Sequence, residues 1–507
     1  MHLLTILAFA LIFWEAEQPE LGQWLGNEGT LGTVLLTALP PIVLGITAFL
    51  IARRALRLID SGTGSSNRAH QLHHRGGAVL RLAALAGFGL TVFATPWPEW
   101  LRVTEPALQI FGDLIVLSPF LASVLAIWLG MYPFERAVRD QVVLDPGEPA
   151  DDGRLPWRLR SYLEFNLRHH FFIGAVPMTL ILCGANLARG YEKALVARTG
   201  VDWAPDALLG LVAAGVFVLS PLMLRRIWKT APLEDGPLRD RLETICRRIG
   251  LRCRDILVWH SDGVMINAAV MGLFARVRFV LLSDALLETM DTRQIEAVFG
   301  HEAGHVRHRH IQHFLVFAFV GWLAVVGMME LLARVAIEAE WDQAVSAVGI
   351  QTVSVVGAVL FWGIGFGWIS RRFEREADLF AAKCVTPDVA QCREPCSVHL
   401  DEPAPPDVKN RVCATGASIF TSALDRVAVL NGIPHEENSW RHSSIGFRIR
   451  FLQSLAGDPA RAATFARTLR RVKVVVPAAA VIGSAVFVYY WSVVSVPAIL
   501  RLQQAAT

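Results

Sequence analysis

Eight long, almost uncharged stretches constrain this chain more than any other feature. They lie near residues 31–52, 78–96, 107–132, 170–188, 207–224, 312–337, 345–369 and 474–498. A bilayer core takes roughly 20 apolar residues as a helix, and a helix satisfies its own backbone polar groups there. With 53% hydrophobic residues and a mean hydropathy of +0.41, the chain is too apolar for a soluble globular protein. A further run, residues 2–14, is short for a span. It lacks a basic leader and a clear small-residue cleavage site, and reads as a retained helix rather than a signal peptide. The expected class is therefore mainly α, a polytopic helical membrane protein of about seven to nine spans. A net charge of +3 gives no reason to expect nucleic acid, and membrane lipid is the surrounding partner.

Loop charges orient the spans. Residues 53–77 carry Arg53, Arg54, Arg57, Arg68 and Arg75. Residues 133–169 carry Arg136, Arg139, Arg154, Arg158, Arg160 and Arg168, and Arg225, Arg226 and Lys229 follow the fifth span. Residues 15–30, 97–106 and 338–344 are acidic or nearly neutral. Every second loop is basic, so the positive-inside rule predicts an inner or plasma membrane protein with residues 225–311 in the cytoplasm.

That cytoplasmic segment contains His301-Glu302-Ala303-Gly304-His305. Asp291 and Gln294 have the spacing of a capping box, and Ile295, Val298 and Phe299 form an apolar stripe at helical spacing. Residues four apart share a helix face, so both imidazoles can bind one Zn²⁺, with Glu302 placed to take a proton from metal-activated water. About one chain in fifty of this composition would carry the spacing by chance, so a third ligand is required. Spans 312–337 and 345–369 form a hairpin that returns the chain to the cytoplasmic side at Ser370-Arg371-Arg372-Phe373-Glu374-Arg375-Glu376-Ala377-Asp378. Glu374 is the candidate ligand there and Glu376 the weaker one. On a helix these two point about 200° apart. Asp378 shares the face of Glu374, where it can hold a ligand histidine through its other ring nitrogen.

Taken together, the motif, the hairpin and the Ser-Arg-Arg-Phe-Glu-x-x-Ala-Asp pattern resemble the membrane gluzincin metalloproteases. That family contains the CaaX prenyl endopeptidases and the bacterial heat-shock protease HtpX. The resemblance runs from about 255 to 380, with a weaker match near 440–450, and the first 200 residues match only as a bundle of spans. It implies one zinc per chain on His301, His305 and Glu374, a water nucleophile and endopeptidase activity. Upstream, Ile256–Trp259 and Val277–Leu282 read as short strands. Between them, Ile266–Gly272 is similar to the family's strand beside the active site. An extended substrate would add there, along Asn267, Ala268 and Ala269. Downstream, Trp440–Arg448 resembles the family segment in which a histidine and an arginine six residues later stabilise the oxyanion, here His442 and Arg448. The usual proline after that histidine is missing.

These readings divide the chain into N-terminal spans (1–230), a first catalytic part (231–311), the membrane hairpin (312–370), a second catalytic part (371–472) and a last span (473–507). The second catalytic part carries an insertion at about 384–416. It holds Cys384, Cys392, Cys396 and Cys413, for which a structural metal site, a regulatory disulfide and ordinary thiols all stay open. His308, His310 and His313 have no partner pattern and read as solvated or interfacial. The expected function is an integral membrane zinc endopeptidase with a cytoplasmic catalytic domain containing a small β-sheet. It would act on peptide or protein substrates at the membrane, in membrane-protein quality control or processing. The alternative is a catalytically silent zinc-binding scaffold or sensor, against which the intact Glu302 argues. A transporter is disfavoured because none of these spans carries an ionisable pair at its centre.

Overall fold

Two units divide the chain, Met1–Thr230 and Ala231–Thr507. The computed structural model describes residues 2–17, 30–61, 66–102, 105, 108–143, 158–261, 263, 265–386, 392, 412–456 and 458–490. Among the described residues, eight helices are long and apolar enough to cross a membrane. Five belong to the first unit: Thr30–Asp60, Arg68–Ala94, Gln109–Arg139, Leu159–Gly190 and Ala204–Ile227. Three belong to the second: His310–Glu338, Gly349–Cys384 and Pro459–Tyr490. Each coincides with one of the expected spans, and most run past the apolar stretch at one or both ends. The last begins as early as Pro459, while residues 491–498 of the expected span lie outside the described residues. Ile42, Ile46, Val481 and Ile482 are more than half exposed. Surfaces of this kind are stable only against lipid. The chain is a multi-pass membrane protein.

Within the first unit, helices Thr30–Asp60 and Ser118–Val143 approach closely because the contact is built of small side chains. A Cβ on Gly130 would fall 2.6 Å from the carbonyl oxygen of Gly45 and 2.7 Å from Cβ of Ala48. The first apolar run forms helix His2–Glu17, and its Ala8, Phe9 and Ile12 are buried.

The second unit opens on a four-stranded sheet of β1 (Thr230–Pro232), β2 (Asp255–Trp259), β3 (Ala268–Met271) and β4 (Phe279–Ser283), in the order β1-β2-β4-β3. The two expected strands are β2 and β4, and they pair in parallel, while β3 folds back antiparallel on β4. All five residues of β4 are buried, which explains their unbroken apolar run. β3 is left at the sheet edge.

Helix Thr292–Arg307, which carries the His-Glu-x-x-His motif, begins at the expected capping box. The Asp291 side chain accepts from Gln294 N at 2.9 Å, and Gln294 accepts from Asp291 N at 3.3 Å. It packs on the returning helix Gly367–Cys384 through glycines. A Cβ on Gly300 would lie 3.0 Å from Cβ of Cys384, and one on Gly304 would lie 3.1 Å from Cα of Ala377. Glycines four apart make a flat strip on one helix, and Ala377 and Ala381 make the matching strip on the other. The returning helix continues a π-helical segment, Phe361–Phe366. A π turn breaks the regular ladder and frees carbonyls. Here the Gly363 carbonyl accepts from the Trp440 indole N–H at 2.6 Å.

Candidate metal centre

The close helix contact brings three side chains to one point. Among the described residues, His301, His305 and Glu374 form the one group of potential metal ligands whose donor atoms all lie within 4.8 Å of one another. Nε2 of His305 is 3.3 Å from Nε2 of His301. Glu374 places Oε2 at 3.5 Å from His301 Nε2 and Oε1 at 3.7 Å from His305 Nε2. A tetrahedral zinc site with bonds of about 2.0–2.2 Å spaces its ligand atoms roughly 3.3–3.6 Å apart. Two imidazoles and a carboxylate at these separations therefore fit zinc in both chemistry and spacing.

Each ligand histidine also has a partner at its far nitrogen. Nδ1 of His301 is 3.0 Å from Oδ1 of Asp378, close in distance although off the ring N–H direction. Asp378 is buried and takes a two-pronged contact from Arg448, with Nε at 2.9 Å from Oδ2 and Nη2 at 2.5 Å from Oδ1. The Arg448 guanidinium is thus aimed at Asp378, with Nη2 also 3.7 Å from Glu374. That differs from the carbonyl-facing position suggested by the family segment, because a buried carboxylate must be paired and Arg448 is the charge that reaches it. His442 stands at the lip, partly exposed, with Nδ1 at 3.1 Å from Glu374 Oε2. Its loop is pinned by the Trp440 indole and by Arg371, whose Nη1 donates to the Trp440 carbonyl at 2.8 Å.

Glu302 faces the edge strand. Its Oε2 accepts from the backbone N–H of Val270 at 3.1 Å, a group of β3 not spent on β4. Burial pushes its carboxyl up to about 7, against the opposing pull of His301. Asn267 is exposed, and its Oδ1 accepts from Ala268 N at 2.9 Å. Ala268 is buried and Ala269 half-buried, so β3 offers little side-chain bulk beside Glu302.

His310 departs from its sequence reading. It is fully buried, not solvated, with Nδ1 at 2.9 Å from Nδ1 of His305 and Nε2 at 2.8 Å from Oε2 of Glu376. The signal was its distance of five residues from His305, which reveals a partner only if the helix breaks between them. Glu376 points away from the cluster, as the helical angle from Glu374 demands, toward His308, His310 and Lys473. Of the clustered cysteines, Cys384 is buried against Gly300, and Cys392 Sγ lies 3.8 Å from Cys413 Sγ. Cys396 lies outside the described residues.

Residues 232–455 match the family described as Peptidase family M48. A protein named Protease HtpX homolog from Archaeoglobus fulgidus is 25% identical over 254 residues, covering 47% of this chain and 73% of that protein. The homolog of that name from Pyrobaculum islandicum is 28% identical over 232 residues, 43% of this chain and 64% of its own length. CAAX prenyl protease 1 of Saccharomyces cerevisiae is 34% identical over 92 residues, 18% of this chain and 20% of that protein. The crystal structure of S. mikatae Ste24p aligns with a TM-score of 0.50 at 15% identity, covering 84% of this chain and 100% of that one, and shows the fold. The chain is thus a multi-pass membrane protein with a Ste24p-like fold whose residues 232–455 match peptidase family M48.

Proposed function

We propose that this protein is a zinc-dependent membrane endopeptidase that cleaves peptide or protein substrates at the cytoplasmic face of its membrane. The observation that carries the reading is the convergence of His301, His305 and Glu374 at tetrahedral spacing, with Glu302 alongside. Two imidazole nitrogens and a carboxylate at 3.3 to 3.7 Å have the spacing that the ligands of one tetrahedral cation would take. When bound, zinc supplies Lewis-acid activation of the scissile carbonyl and of water.

The remaining roles belong to the chain itself. Glu302 accepts the proton of the attacking water and returns it to the leaving amine, for which a carboxyl near neutrality is suited. β3 offers an extended backbone at the sheet edge, where the substrate main chain adds beside Ala268 and Ala269. The tie between Val270 N–H and Glu302 sets the distance from that strand to the base. His442, partly exposed at the lip, is our candidate donor to the developing oxyanion. Arg448 acts at one remove, holding Asp378 against His301. The alternating loop charge favours a cytoplasmic site, and membrane-protein processing or clearance is the setting that the HtpX and CAAX protease likenesses suggest. The reading of a silent zinc-binding scaffold shares the ligands but leaves Glu302 without a task.

Metal analysis and peptide cleavage on purified variants test this. Wild type is expected to hold one zinc per chain. Glu374→Ala, His301→Ala and His305→Ala are expected to lose both zinc and cleavage. Glu302→Gln is expected to keep zinc and lose at least about a hundredfold in rate. Zinc retained by Glu374→Ala with normal cleavage would sink the ligand set, and unchanged cleavage by Glu302→Gln would sink the base.

A further inference from the structure

We propose that His310 and Glu376 form a positioning relay that fixes the ring of His305 for the metal; the inference rests on the zinc reading above. The relay begins with a backbone reversal. The motif helix ends at Arg307, Arg309 adopts a left-handed conformation (φ 57°, ψ 39°), and the next helix starts at His310. A non-glycine residue seldom adopts this conformation unless the surrounding structure holds it there. The turn swings His310 back under His305, where its ring is fully buried and stacks parallel to Phe373, centroids 4.3 Å apart and planes 3° off.

Proton bookkeeping then gives the relay a direction. His305 Nδ1 and His310 Nδ1 face each other at 2.9 Å, so one of them carries the hydrogen and the other accepts. His305 turns Nε2 toward His301 and Glu374, where a bare nitrogen is needed to bind metal. Its hydrogen therefore sits on Nδ1, and His310 Nδ1 is the acceptor. His310 must then carry its own hydrogen on Nε2, which lies 2.8 Å from Glu376 Oε2. The charge of Glu376 is met by Lys473, whose Nζ donates to Oε1 at 2.7 Å. Every ring nitrogen has one role: moving the hydrogen of His310 to Nδ1 would set two N–H groups face to face, and moving that of His305 to Nε2 would set two lone pairs face to face. The chain of contacts thus selects the one tautomer of His305 that can bind metal through Nε2.

The two ligand histidines are consequently held differently. His301 has a carboxylate directly at its back, itself tied to Arg448. His305 has a neutral imidazole, with the carboxylate one residue further away. Glu376 is accordingly neither a spare ligand nor a surface charge. Its loss is expected to be felt at the metal through His310, a revision of the sequence reading of Glu376 as the weaker candidate ligand.

The competing explanation is that His310 merely fills space against Phe373, and zinc affinity separates the two. Full-length variants are purified in detergent, stripped with chelator, and titrated with zinc against a chromophoric competitor. His310→Phe keeps an aromatic ring for the stack and removes the acceptor. His310→Asn restores an acceptor oxygen near the position of Nδ1. Outer contacts to a metal ligand are typically worth tenfold to a hundredfold in affinity. The expected result is a loss of that size in His310→Phe and recovery of a large part of it in His310→Asn. Wild-type affinity in His310→Phe overturns the relay. So does equal weakening in both variants, which is the signature of packing. Should His310→Phe fail to fold, Glu376→Ala carries the same test, because Glu376 borders a cavity of about 420 Å³ that can take water in its place. Wild-type affinity there overturns the relay and a loss supports it. If the wild-type protein itself takes up no zinc, the underlying reading fails; if it loads one zinc and these variants bind as tightly, the relay alone fails.

Discussion

Replacing Gly304 by alanine asks whether the spacing of two helices, and not only the ligands they carry, makes the metal centre. The new Cβ would lie 3.1 Å from Cα of Ala377 and 3.3 Å from both Cβ and Cδ1 of Phe380. Carbon atoms prefer separations of about 3.5–4.0 Å, so the contact is short by roughly 0.4–0.9 Å. Phe380 can rotate its ring, but Ala377 presents backbone, and relief there requires the returning helix to move. Ala377 sits between Glu374 and Asp378, so both carboxylates move with it. Metal bonds tolerate about 0.2 Å. Overpacking of this size costs about 1–3 kcal/mol, offset by about 1 kcal/mol from replacing glycine with alanine in a helix. The protein should therefore stay folded while losing about tenfold or more in zinc affinity, with cleavage falling in parallel. Thermal melting, competitive zinc titration and a peptide assay read the three quantities. Gly327→Ala is the control, since nothing lies within 4 Å of the Cβ it would add. A Gly304→Ala protein that binds zinc and cleaves like wild type would refute the argument from helix spacing.

Two further outcomes are expected. Single cysteines placed in residues 53–77, 133–169 or 225–311 should resist a membrane-impermeant maleimide in intact cells, while cysteines near Glu99 or Asp342 react; the reverse pattern overturns the orientation read from loop charge. The pH profile of kcat/KM should show an acid limb set by Glu302. Only its carboxylate can accept a proton, so activity is lost as pH falls through its pKa. Burial raises that pKa from 4.5 toward about 7, and a neighbouring dication opposes the rise, which places the limb between those values. A flat profile from pH 5 to 7.5 would remove Glu302 from the rate-determining proton transfer.

Local pattern was enough for a good deal of this protein. An apolar run of span length has one stable form in a bilayer, so the eight membrane helices among the described residues are legible directly. The start of the motif helix was equally legible, because a capping box is a contact between residues three apart. The shared face of Glu374 and Asp378 follows from helical periodicity alone. What periodicity cannot supply is the partner that a face meets. Arg448 reads as an oxyanion donor until the fold sets it against Asp378, 70 positions away in the chain. His310 reads as solvated or interfacial until the left-handed turn at Arg309 buries it behind His305. Glu376 reads as a second-choice ligand until Lys473 arrives from the last long helix. The parallel pairing of β2 with β4 likewise depends on where β3 goes, not on either strand. Gly300 and Gly304 read as poor helix residues, and only the returning helix shows why they suit their place. Without a side chain, they let two backbones come close enough for ligands from distant segments to meet.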